Sequence, residues 1–168
     1  PIVTADFWCD GPMVGGCLSA GRRYFHLNSQ GGVEPCVFHQ FSVDNIKNTS
    51  LRKAVSSDYF KYVRQRNREV VNVYRPCPII DRPQILRDAI AKFHPTPSQV
   101  GAEKIADVLA PGLDEYAVKL KHVMDPVWRE EFPNRVEKVD DAQHVGDHGR
   151  QLLADADPAR ARAKQGGR

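Results

Sequence analysis

Long apolar segments are missing from this 168-residue sequence. No run approaches the roughly 20 residues that a membrane-spanning helix needs, and no signal peptide opens the chain, so we expect no membrane span. The excess of one charge sign is small as well, because 24 basic and 21 acidic residues leave a net charge of +3. The basic residues are mixed with the acidic ones rather than gathered in a stripe, which argues against nucleic acid as a partner.

Cysteine is also scarce, with four in the chain: Cys9, Cys17, Cys36 and Cys77. A secreted domain could form two disulfides from four cysteines, but nothing in the sequence indicates secretion. We therefore expect a cytoplasmic protein whose cysteines have a metal or redox role in a reducing compartment. A structural zinc site normally shows closely paired cysteines, and the sequence has none. Zinc, disulfides and unrelated buried cysteines nevertheless stay open as alternatives.

The chain opens with Pro1 rather than Met. Residues 1–7 read like the end of a strand already under way, so we expect an N-terminal part of the protein to be missing. The rest predicts an α+β fold. Residues 9–22 are rich in glycine and predict a loop. Residues 24–28 and 33–38 predict the two strands of a β-hairpin, with a turn at residues 29–32.

Several helices are predicted after the hairpin. Ser50 is a suitable N-cap for a short helix that starts at Leu51, and Ser57 or Asp58 for the next one. A further helix has Pro83 near its first turn and an apolar stripe that runs to about Phe93.

The C-terminal third is predicted to hold two more helices, over residues 98–109 and 113–132. Pro126 should kink the second helix or end it near Met124, because proline lacks the N–H that the helix requires. From about Asn134 onward the chain is polar, which predicts a disordered or loosely helical tail.

The four cysteines fall in segments that could converge on one site. Cys9 and Cys17 lie in the glycine-rich loop, Cys36 lies on the returning hairpin strand, and Cys77 lies between two prolines in a stiff loop. Widely spaced cysteines are acceptable ligands for an iron–sulfur cluster, and glycines let the backbone approach inorganic sulfide closely.

The spacing Cys17-x13-Gly31-x4-Cys36 resembles the hairpin motif of the SPASM and twitch regions of radical SAM enzymes. Residues 24–28 and 32–36 are similar to the strand–turn–strand of those regions. The pairs Asn45-Ile46 and Ser50-Leu51, and then Ser57 and Phe60, resemble the segment that usually follows. The resemblance covers roughly residues 5–80.

This resemblance implies a C-terminal auxiliary-cluster region of a radical SAM enzyme. Cys9 and Cys77 would complete, with Cys17 and Cys36, the ligand set of an auxiliary [4Fe–4S] cluster. The implied organisation is residues 1–8 as the end of the barrel, 9–80 as the SPASM/twitch-like region, 81–133 as C-terminal helices and 134–168 as the tail. No cysteines remain for a second auxiliary cluster, so the single-cluster twitch arrangement is the closer match.

The same resemblance implies the chemistry of the whole enzyme. S-adenosylmethionine and a second [4Fe–4S] cluster would bind the missing N-terminal part, since the three-cysteine motif for that cluster is absent here. Four thiolates leave no open iron, so electron transfer to or from a substrate radical is the implied role, with flavodoxin or ferredoxin as a candidate electron donor. The substrate is not indicated. The alternative is a non-catalytic module in which zinc or a structural cluster stabilises a small fold.

Two pairs of residues near the hairpin have open interpretations. His26 or His39 could replace a thiolate on iron, but ordinary strand residues with hydrogen-bond partners are the simpler interpretation. Arg22 and Arg23 could contact an anionic substrate or offset the charge of a cluster, and a plain surface role explains them about as well.

Overall fold

A computed structural model describes residues 10–134. The predicted barrel strand over residues 1–8, Cys9 and almost all of the predicted tail lie outside these residues. The strands are β1 His26–Leu27, β2 Gly32–Glu34, β3 Phe41–Ser42, β4 Asp44–Asn45 and β5 Thr96–Pro97. The helices are α1 Gly11–Val14, α2 Leu51–Val55, α3 Asp58–Arg68, α4 Pro83–Phe93 and α5 Ala110–Glu131, with a 3₁₀ turn at Ala102–Ile105. The α+β class is confirmed, and no barrel strand occurs between residues 10 and 134.

The predicted hairpin is confirmed, with shorter strands than the sequence suggested. β1 pairs antiparallel with β2, and β4 adds to the other edge of β2. Gly31 has a φ of +88°, which only glycine adopts readily, and the Asn28 side chain accepts hydrogen bonds from the backbone N–H groups of Gln30 and Gly32. The ladder ends at Glu34 because Pro35 has no N–H to continue it.

The core lies between the hairpin and helices α3 and α4. Tyr59, Phe60 and Val63 form the buried face of α3, as their helical spacing predicts. They join Val33 of the hairpin and Leu86 of α4 in one apolar cluster. The two predicted N-caps are confirmed, since the hydroxyls of Ser50 and Ser57 accept hydrogen bonds from the first turns of α2 and α3.

Two expectations about elements were wrong. The glycine-rich segment 9–22 is not all loop, because α1 forms within it. The helix predicted for residues 98–109 is reduced to the 3₁₀ turn, because Gly101 adopts a left-handed φ of +85° just before it. Residues just upstream instead form β5, which pairs with β3.

Helix α5 does not end near Met124 but continues through Pro126 to Glu131. Asp125 and Trp128, on either side of the proline, are both buried against the rest of the fold. These tertiary contacts hold the helix across the missing N–H. Across residues 10–134 no helix is both long and apolar enough to span a bilayer.

Candidate metal centre

Cys17 sits in a loop whose path is fixed by local backbone contacts. Gly15 and Gly16 have left-handed φ values of +71° and +92°, which turn the chain back after α1. The Arg22 guanidinium then donates hydrogen bonds to the carbonyl oxygens of Cys17 and Val14, at 3.0 and 3.1 Å. The Arg22 side chain therefore ties together the two ends of the loop that carries Cys17.

The Cys17 thiol is oriented by a short chain of polar contacts. It donates to the Ser19 hydroxyl at 3.1 Å, and that oxygen accepts a second hydrogen bond from the Asn67 amide of α3 at 3.0 Å. Ser19 and Asn67 are each 1% exposed. The Ala20 N–H donates to the Pro35 carbonyl at 2.8 Å, which joins the Cys17 loop to the residue before Cys36.

Cys36 is buried just after β2. Burial, and to a smaller extent negative charge on Cys17, raise the pKa of its thiol to about 11. The Phe38 N–H donates toward the Cys36 sulfur and lowers its pKa in part, and the His39 N–H donates to the Cys36 carbonyl oxygen at 3.0 Å. Cys17 therefore lies close enough to Cys36 for their charges to interact.

The two histidines have hydrogen-bond or charge partners of their own, which supports the simpler interpretation of both. His39 is 1% exposed, and its Nε2 lies 2.7 Å from the Tyr59 hydroxyl. Burial lowers the pKa of His39 to about 3, so its imidazole is neutral. His26 lies on β1 with its Nε2 3.9 Å from a carboxylate oxygen of Glu34.

Cys77 lies between Pro76 and Pro78, and its neighbours hold it through the backbone. Its N–H donates to the Asp81 carboxylate at 2.8 Å, and the Ile79 N–H points at its sulfur at 3.5 Å. Burial raises the pKa of the Cys77 thiol to about 12, and the negative charges of Asp81 and Cys17 add to the rise. Cys77 thus shares with Cys36 both burial and an electrostatic interaction with Cys17.

The segment before Cys77 is anchored by Asp125 of α5. One Asp125 oxygen accepts hydrogen bonds from Arg75 and Asn72, both at 2.9 Å, and the other accepts from Lys121 at 2.6 Å. Burial alone would raise the pKa of Asp125, but the Lys121 hydrogen bond and the positive charges of Arg75 and Lys121 outweigh it and lower the pKa. Asp125 is therefore an ionised carboxylate that fixes the approach to Cys77.

Tyr24 lies among the three thiols. Burial raises the pKa of its phenol well above the ordinary value, and charges on Cys36, Cys17 and Cys77 raise it further. A side-chain hydrogen bond joins it to Cys36. The three thiols and the phenol therefore occupy one neighbourhood. Sequence reasoning missed Tyr24, and its position in the first hairpin strand is the signal that could have indicated it.

The chemistry of the donors, thiols with N–H groups nearby, suits an iron–sulfur cluster. Cys17, Cys36 and Cys77 are free thiols, and N–H groups face the sulfurs of Cys36 and Cys77, as they do around cluster ligands. With raised pKa values the thiols of Cys36 and Cys77 are neutral on their own, so a bound metal must displace their protons. In residues 10–134 no group of three His, Cys, Asp or Glu side chains is arranged to hold a metal ion. The four-cysteine ligand set stays a prediction, since Cys9 lies outside the described residues.

Comparison with known proteins gives one family match, which covers the cysteine-bearing segment after residue 16. The model of the SPASM family, an iron–sulfur cluster-binding domain, matches residues 17–78. The match begins at Cys17, contains the hairpin and Cys36, and ends one residue after Cys77. No curated protein and no solved structure has significant similarity to the chain.

Proposed function

We propose, on the premise that residues 17–78 are a SPASM domain and that this domain binds an iron–sulfur cluster, that the cluster is an auxiliary [4Fe–4S] cluster for electron transfer. SPASM domains form the C-terminal auxiliary region of radical SAM enzymes. The single observation that carries the proposal is that Cys17, Cys36 and Cys77 all lie within electrostatic range of Tyr24.

The proposed ligands are Cys17, Cys36 and Cys77, together with Cys9 from the segment before the described residues. Three of them come from different parts of the fold, so the cluster would join the Cys17 loop, the hairpin and the segment between Pro76 and Pro78. Cys36 is buried and Cys77 is half-buried, which limits the access of water to their sulfurs, and N–H groups facing a thiolate stabilise negative charge on it.

The electron-transfer role follows from the number of thiolates. When bound, the cluster supplies one electron to a substrate radical or accepts one from it. Four cysteine ligands leave no iron open to bind substrate. The N–H groups of Phe38 and Ile79 would raise the reduction potential, because hydrogen bonds to ligand sulfur favour the reduced state.

The proposal includes the parts of a radical SAM enzyme that these residues do not contain. S-adenosylmethionine and the cluster that cleaves it would bind an N-terminal barrel. Flavodoxin or ferredoxin would serve as the electron donor.

The test is paired quantification of 5′-deoxyadenosine and product in the full-length enzyme. Cys36→Ala and Cys77→Ala should each lose the auxiliary cluster and stop product formation, while S-adenosylmethionine cleavage continues. Ser29→Ala, in the exposed hairpin turn, is the control and should leave both yields unchanged.

Three outcomes would contradict the proposal in different ways. A normal product yield in a variant that lacks the auxiliary cluster would show that the cluster has only a structural role. Spectroscopy that shows substrate bound to an iron of the wild-type cluster would favour direct binding and imply that one cysteine, Cys9 above all, is not a ligand. Purified protein that contains zinc and is colourless would instead support the non-catalytic metal-binding module.

A further inference from the structure

An open cleft of about 360 Å³ lies beside the candidate metal centre, and arginines surround it. Its lining includes the guanidinium-bearing residues Arg22, Arg23, Arg52 and Arg64, together with Tyr24. No aspartate or glutamate lines it. Four positive charges around one concave surface focus a positive potential into it.

Two of these arginines are fixed by backbone contacts. Arg64 donates to the Ala20 carbonyl at 2.8 Å and to the Val55 carbonyl at 3.4 Å, and Arg22 donates to carbonyls of the Cys17 loop. Gly21 allows this close packing, because a Cβ there would lie 2.9 Å from a Val55 methyl group. The base of the cleft is therefore built from ordered side chains.

The other two arginines have guanidinium groups that are available to a ligand. Arg23 and Arg52 are exposed, and neither side chain forms a hydrogen bond or ion pair with any residue between 10 and 134. They come from the Cys17–hairpin segment and from α2, so the fold brings them together from separate elements. Like charges held together in this way repel one another unless an anion lies between them.

We propose that this cleft binds an anionic oxygen group, a carboxylate or a phosphate, of a small ligand. A guanidinium presents paired N–H donors that match both groups in a bidentate geometry. Tyr24 and Phe25 add aromatic surface for the body of the ligand.

The position of Tyr24 gives the cleft its relation to the metal centre. Tyr24 lines the cleft and also hydrogen-bonds to Cys36. A ligand in the cleft would therefore lie one side chain away from a proposed cluster ligand. Anion binding itself goes beyond the proposed function, whereas the identity of the ligand as the substrate rests on that function.

The test is calorimetric titration of the cluster-loaded protein with inorganic phosphate and, separately, with acetate, at constant ionic strength. Wild type should bind one of the two anions saturably, and the preferred anion distinguishes a phosphate ligand from a carboxylate ligand. The double variant R23Q/R52Q should bind it about tenfold or more weakly. The matched control K53Q removes the same charge from the neighbouring position on α2, which does not line the cleft, and should change the affinity less than about twofold.

Visible absorbance and iron content, measured in every sample, separate this proposal from the proposed function. A protein that binds the anion but holds no cluster would contradict only the proposed function. The proposed anion site would be overturned if neither anion bound the wild type saturably, or if K53Q and R23Q/R52Q lost equal amounts of anion affinity. A changed reduction potential of the cluster in R23Q/R52Q, with the anion affinity unchanged, would also overturn the proposal. It would show that the two arginines offset the charge of the cluster. Arginine-dependent binding of an acidic flavodoxin, with no binding of either anion, would replace the ligand site with a protein-docking surface.

Discussion

The hairpin region, residues 17–45, and the Cys77 loop, residues 72–82, position their cysteines in different ways. In the hairpin region the contacts are mostly local, such as the hydrogen bonds from the Arg22 guanidinium to the loop carbonyls and from the Gly32 N–H to the Asn28 side chain. In the Cys77 loop the decisive contacts come from Asp125, fifty residues later in the chain than Arg75. One proposed ligand therefore depends on a helix beyond the SPASM match.

The difference has an energetic consequence. The hairpin region loses little when one side chain changes, because each of these local hydrogen bonds contributes about 1 kcal/mol. The Arg75–Asp125 pair is buried, with side-chain exposures of 4% and 9%. Removing one partner of a buried ion pair costs about 3–5 kcal/mol, because the remaining charge keeps its desolvation cost. We therefore expect single substitutions to disrupt the Cys77 side of the cluster site more strongly than the hairpin side.

Removing α5 should have the largest effect, because it removes every contact from this helix to the Cys77 loop. A chain that ends at residue 109 lacks Asp125 and Trp128, so the Cys77 loop loses its anchor and we expect no cluster to assemble. A chain that ends at Asn134 keeps α5 and should retain both fold and cluster, since the residues removed offer few apolar side chains to bury. Iron content and circular dichroism of the two truncated proteins measure the outcome. Cluster loss in the longer protein would show that the tail was misinterpreted.

A single substitution should reproduce much of this effect. Asp125→Asn removes the carboxylate charge that faces Arg75 and Lys121, and we expect the free energy of unfolding to fall by about 3 kcal/mol, with reduced cluster occupancy. Asp58→Asn makes the same chemical change in an exposed pair on α3, where the side chain is 82% exposed, and should cost less than about 1 kcal/mol. Denaturant unfolding and iron content provide the measurements. Equal effects of the two substitutions would contradict the special role of α5.

The hairpin should be sensitive to its turn glycine. Gly31→Ala places a Cβ at φ +88° and 2.8 Å from the Asn45 side-chain oxygen, so we expect a loss of about 1–2 kcal/mol. Gly112→Ala, in the first turn of α5 with open space around it, should instead stabilise by about 0.5–1 kcal/mol. Thermal melts of both variants test this contrast. A neutral Gly31→Ala would show that the turn tolerates an ordinary side chain.

Local sequence patterns predicted the features that local interactions determine. The hairpin, the Ser50 and Ser57 caps and the buried face of α3 follow from turn chemistry and periodicity, and all were confirmed. The pairing of β3 with β5, the Asp125 anchor and the arginine cleft join residues that are far apart in sequence. No spacing rule connects such residues, so they could not be predicted before the fold was known. The helix expected over residues 98–109 failed because one left-handed glycine outweighed the propensity of its neighbours.

The central claim is that cysteines from separate segments hold one cluster, and iron and sulfide quantification with electron paramagnetic resonance tests it most directly. Wild type should contain about four irons and four sulfides for this site. Cys17→Ala, Cys36→Ala and Cys77→Ala should each lower the iron content and alter or abolish the same resonance signal. A Cys77→Ala variant with full iron content and an unchanged spectrum would contradict the claim, because Cys77 would then lie near the cluster without binding it.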